Sequence, residues 1–186
     1  MTVLAIGVTG YGAAAAYLSV PGQLPSMTHH FPDRNLVAAA HFGIGAFVLL
    51  LGPFQFLPRL RARRPALHRW MGRFYVAGCL VSATAALVLA ANAVAGPVAQ
   101  TGFALLALFW IVSTSTALIK AMQRKFTEHR RWMMRSYALT LAAVTLRLYL
   151  PSSLILGVPF ATAYPVISFA CWVPNAIVVE WLLRRS

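Results

Sequence analysis

Apolar residues in this chain gather into long uninterrupted runs, and the polar residues fall in short clusters between them. A helix of about 20 apolar residues crosses the roughly 30 Å hydrocarbon layer of a membrane. The runs predict membrane helices over residues 2–20, 36–57, 69–95, 100–120, 132–150 and 162–183. Residues 2–20 lack a basic leading segment and an Ala-x-Ala cleavage signal, so they read as a membrane helix and not as a signal peptide. The implied fold class is all-α: a polytopic membrane helix bundle of about six transmembrane helices in one transmembrane domain, 1–186. Gly52-Pro53 predicts a kink near the end of the second helix, because proline lacks the N–H and crowds the preceding turn. Ala95-Gly96-Pro97 predicts a tight turn, Pro151 the end of the fifth helix, and residues 151–161 a short interfacial turn.

Composition agrees with that pattern. The 186 residues are 60% hydrophobic and 10% charged, against about 25% charged in soluble domains. The net charge of +13 would suit nucleic acid on a soluble face, but the cations lie between spans, which excludes that partner. Arg59, Arg61, Arg63 and Arg64 fill one connection; Lys120, Arg124, Lys125, Arg130 and Arg131 fill another; Arg184-Arg185 end the chain. Cytoplasmic loops hold the excess of Lys and Arg, so both termini are expected to be cytoplasmic, in a bacterial cytoplasmic (inner) membrane. The expected partners are the lipid bilayer and its anionic headgroups, with further protein partners or a homo-oligomer left open. Cys79 and Cys171 sit in apolar runs without disulfide or metal spacing. The His29-His30 pair lacks a third ligand at metal spacing and reads as solvated loop.

One motif occurs twice. Arg69-Trp70-Met71-Gly72-Arg73-Phe74-Tyr75 and Arg131-Trp132-Met133-Met134-Arg135-Ser136-Tyr137 share Arg-Trp-Met-x-Arg-x-Tyr without a gap, and His68 and His129 stand just upstream. Trp70 and Trp132 read as interfacial anchors. Arg73 and Arg135 lie one turn deeper, where they either snorkel to lipid phosphates, with Glu180 neutralising one of them, or form an anion pocket with Tyr75 and Tyr137 as donors. A guanidinium suits the second role because its planar fork takes a carboxylate or phosphate bidentately. His68 and His129 at matching depth are candidate axial ligands of one b-type haem; no other cofactor and no metal is implied. On the outer side, His41 and Arg147 form a candidate polar site, since ionisable groups inside a span are costly and therefore functional candidates.

These residues in order resemble a bacterial membrane-protein family, domain of unknown function family 2306. The resemblance rests on the histidine in the second helix, Gly52 to Phe56, His68 to Arg73, His129 to Tyr137 and Arg147, and covers residues 36–151. It implies a polytopic membrane protein with those histidines and arginines as its signature, and it supplies no activity. The paired histidines are also similar to those of four-helix haem-b proteins of the cytochrome b561 type, although the histidines deep within spans that two haems require are missing here. Three carboxylates in the chain exclude paired-carboxylate catalysis, and the sequence has no nucleophile elbow, phosphate loop or zinc-protease motif. No catalytic residue is predicted. The leading reading is an anion- or lipid-binding membrane protein; a haem electron-transfer protein and a structural subunit of a membrane complex are the alternatives.

Overall fold

The computed structural model describes residues 35–93 and 95–185. The predicted span 2–20 and the His29-His30 connection lie outside them. Among the described residues there is no strand, and five helices are long and apolar enough to cross a membrane. They are α1 (Leu36–Gln55), α3 (Pro65–Ala90), α4 (Pro97–Met122), α5 (Phe126–Ile155) and α6 (Phe160–Arg184), with a short amphipathic α2 (Pro58–Arg63) between α1 and α3. The architecture is an all-α polytopic bundle.

Helix ends follow proline chemistry. Pro58, Pro65 and Pro97 stand at the first positions of α2, α3 and α4, where the missing N–H costs nothing and the fixed φ suits a helix. Arg64 is pushed to φ −134°, ψ 61°, because the residue before a proline avoids the helical region. α3 therefore begins at Pro65 and not at 69. α5 likewise begins at Phe126 and not at 132, so Arg130 and Arg131 belong to the helix and not to the loop. Arginine stems can lie along a helix while their heads reach the interface. At the far end α5 runs through Pro151 to Ile155, since one missing N–H does not stop a helix whose Ser152 and Ser153 hydroxyls bond the carbonyls of Leu148 and Leu150.

Contacts divide the chain into two compact units, Met1–Ala85 and Ala86–Ser186. In the first unit α1 packs on α3 through small residues. A Cβ on Gly78 would stand 2.5 Å from Val48 and 3.2 Å from Ile44, and one on Gly45 would stand 3.1 Å from Ser82. Such contacts let helix backbones approach where no hydrophobic force joins them in lipid. α1 is not uniform: Ala40–Ile44 form a π-helical turn around His41.

In the second unit α4 lies along α5, with Thr114 and Ser136 hydroxyls 2.7 Å apart. The first half of α6 packs on α4 at Gly102 and Ser168, and through Phe103–Tyr164 and Phe109–Trp172 ring contacts. The second half packs Val179 and Leu183 on Ala138 and Met134 of α5. Both helices are stepped. α5 tightens at Leu141, whose carbonyl accepts from Val144 N at 2.9 Å, and α6 steps at Cys171–Trp172, just before Pro174. Asn175 joins the steps: its Nδ2 lies 3.3 Å from the Ala138 carbonyl, 3.1 Å from Thr145 Oγ1 and 3.2 Å from the Cys171 carbonyl.

Candidate functional site

Both upstream histidines occupy the fourth position of their helices. Their amides close the first helical turn, His68 N to Arg64 O at 3.0 Å and His129 N to Lys125 O at 2.9 Å. The register to the tryptophan differs, however: His68 precedes Trp70 by two residues and His129 precedes Trp132 by three. On a helix that places the two imidazoles about 100° apart relative to the Arg-Trp line. The repeat is therefore a repeat of the arginine and tryptophan face, and the histidines are not equivalent within it.

The first copy belongs to the first unit. Arg73 is exposed and its guanidinium stacks on Trp70, 4.8 Å from the ring centroid. Arg69 and Phe74 are also exposed, and His68 is half-buried. Tyr75 points the other way and is wholly buried. Gly72 rests on buried Gln55, whose Oε1 would be 3.3 Å from an added Cβ, and Gln55 Nε2 has no hydrogen-bond partner among the described residues. From Pro58 to Arg73 there are six arginines and no carboxylate.

The second copy, in the second unit, is engaged by its neighbours. Arg135 holds Glu180 along one edge of its guanidinium, Nε to Oε1 at 2.5 Å and Nη2 to Oε2 at 2.9 Å, and stacks on Trp132 at 4.6 Å. Arg131 Nη2 donates to the Leu183 carbonyl at 2.8 Å, capping the end of α6. Glu128 pairs with Lys120. His129 Nδ1 lies 2.8 Å from the Ala117 carbonyl; a carbonyl only accepts, so Nδ1 carries a proton, and in the neutral ring Nε2 holds the lone pair. Tyr137 is buried.

His41 and Arg147, expected from the sequence to share an outer polar site, fall in different units. His41, in its π turn, donates Nδ1–H to the Ser82 carbonyl at 3.0 Å, and Ser82 Oγ donates back to the His41 carbonyl at 2.9 Å. The His41 carbonyl also accepts from the Gly45 amide, so the buried serine is a second donor to it, and π turns recur at functional positions. Arg147, half-buried in α5, donates Nη1–H to the Ala143 carbonyl at 2.8 Å.

Family comparison decides the relationship. A family model described as "Predicted membrane protein (DUF2306)" matches residues 38–183, most of the chain. The chain belongs to this family. DUF2306 as matched includes α6 with Asn175 and Glu180, which extends beyond residue 151, where the sequence resemblance stopped. No curated protein and no solved structure matches the chain. Within the DUF2306 region, sequence reasoning missed Ser82, Gln55 and Asn175. The signal for Asn175 was its place as a polar amide in an apolar run beside Pro174, where a helix break is expected. Ser82 and Gln55 stood as polar residues in apolar runs, without a local cue to their partners.

Proposed function

We propose that this DUF2306 chain binds an anionic lipid or small molecule at a cytoplasmic-face arginine cluster centred on Arg73, in a bacterial cytoplasmic membrane. The supporting observation is charge imbalance. Both described carboxylates are paired in the second unit, Glu128 with Lys120 and Glu180 with Arg135, while the segment from Pro58 to Arg73 carries only cations. Glu180 already neutralises Arg135 and occupies one edge of its guanidinium, so the proposal puts the anion on the first copy. Arg73 on Trp70 is a guanidinium oriented by an aromatic face, a pre-set partner for a planar oxyanion. Arg69 lies one turn before it. The concentration of basic residues at this end of α1 and α3 supports the cytoplasmic side.

The test compares thermal unfolding of the purified protein in uncharged detergent with added phosphatidylglycerol or phosphatidylcholine. Phosphatidylglycerol is expected to raise the midpoint of the wild type, and Arg73→Gln to lose most of that rise while Arg61→Gln loses little. Equal losses from both variants would mean diffuse surface attraction and would remove the site.

A second reading is supported by His129. With Nδ1–H held by a backbone carbonyl, its Nε2 is in the form that ligates iron, and such an outer hydrogen bond is usual for ligating imidazoles. A b-type haem would then use His129 as one axial ligand. Protein purified from haem-replete cells is expected to show a Soret band that His129→Ala abolishes, with His68→Ala reporting whether the first copy supplies the other ligand. A colourless wild-type preparation ends this reading.

A further inference from the structure

Arg147 is the cation whose surroundings the arginine cluster does not explain. It stands fifteen residues beyond Trp132, about 22 Å at 1.5 Å per residue. If Trp132 marks one interface, Arg147 is about 8 Å short of the far edge of a roughly 30 Å hydrocarbon layer. An arginine at that depth ordinarily extends its head toward the nearer headgroups. Here Nη1 instead bonds the Ala143 carbonyl, one turn back toward the middle of the helix.

Nothing acidic among the described residues compensates it. Glu128 and Glu180 are taken by Lys120 and Arg135, no charged group among the described residues acts on Arg147, and its other guanidinium donors have no hydrogen-bond partner there. A cation left unpaired in an apolar setting is costly, and such residues in membrane spans mark ligand paths. The Ala143 carbonyl fixes one edge of the head and leaves the rest of a planar donor fork, the geometry that matches two oxygens of one anion.

We propose that Arg147 is the anchor for the oxyanion, carboxylate or phosphate, of an amphipathic molecule whose apolar tail lies in the bilayer beside the second unit. The tail is required by depth: a freely soluble anion would have to be stripped of water to reach this level, whereas an amphiphile brings its head there by burying hydrocarbon. The site is separate from the Arg73 cluster in residue and unit, so either proposal can fail without the other.

The experiment is thermal unfolding of the full chain in uncharged detergent with oleate, dodecyl phosphate, phosphatidylglycerol or uncharged oleyl alcohol. Oleate or dodecyl phosphate is expected to raise the wild-type midpoint and oleyl alcohol to leave it unchanged. Arg147→Gln is expected to weaken the apparent affinity for the effective anion at least about tenfold, about 1.4 kcal/mol or more, without lowering the ligand-free midpoint. Arg147→Lys, which keeps the charge and loses the fork, is expected to fall between, and Arg73→Gln to leave the response to oleate or dodecyl phosphate intact. A response to phosphatidylglycerol alone, lost in Arg147→Gln, assigns the oxyanion to a membrane lipid; a response to oleate or dodecyl phosphate assigns it to a single-chain anion. The proposal is overturned if no anion shifts the wild type, or if Arg147→Gln and Arg147→Lys both respond as the wild type does.

Discussion

Asn175→Leu is expected to cost the protein about 2–4 kcal/mol, although the new side chain is apolar and of similar volume. The two hydrogens of Asn175 Nδ2 are shared among the carbonyl of Ala138 at the step in α5, that of Cys171 at the step in α6, and Thr145 Oγ1. Leucine leaves both carbonyls without that donor, at about 1–3 kcal/mol for each buried group orphaned. Thr145 loses less, because its hydroxyl keeps the Leu141 carbonyl at 3.3 Å. Interhelical hydrogen bonds in membranes are individually modest, so the size of this loss depends on two helix breaks converging on one amide. Unfolding in graded denaturing detergent measures the loss, and amide exchange locates it: faster exchange is expected around Leu141 to Thr145 and around Trp172 to Ala176, with the middle of α4 unchanged. A loss below about 1 kcal/mol would mean that the carbonyls find other donors.

The spans were legible because hydrocarbon thickness imposes a length that a run of apolar residues either reaches or does not. α1, α3, α4, α5 and α6 all coincide with such runs. Their starts were less legible where cations come first. Arg130–Arg131 look like loop by charge, yet α5 already runs through them, and Pro65, not Arg69, sets the first turn of α3. In the second copy, Glu180 was recognised as a neutralising partner for one of two arginines, and only the packing of α6 on α5 shows that Arg135 is the one. The π turn at His41 has no periodic signature, since one inserted residue in an otherwise apolar helix changes no hydrophobic pattern. Ser82 is legible only once α1 and α3 are placed side by side. For the same reason Arg147 could be listed from sequence as a costly charge, whereas its orientation toward Ala143 could not.

A paired exchange at Gly102 and Ser168 is expected to show how tightly α4 and α6 are held. A Cβ at Gly102 would overlap the Ser168 side chain and stand 3.0 Å from Phe169 Cδ2. Ser168 is fully buried and fixed by its hydroxyl, which donates to the Pro165 carbonyl at 2.6 Å, so it has no room to yield. Gly102→Ala is therefore expected to cost about 2–3 kcal/mol through overpacking. Ser168→Gly alone is expected to cost about 1 kcal/mol, from the lost hydroxyl bond and the added backbone freedom. Combined, the two changes move the small residue to the other helix and remove the overlap, leaving only the Phe169 contact. The double variant is expected to be at least about 1 kcal/mol more stable than the sum of the single losses, a coupling that separated sites do not show. Additivity within about 0.5 kcal/mol would mean that α4 and α6 shift apart instead of clashing, and Gly102 would then be a consequence of packing and not its determinant.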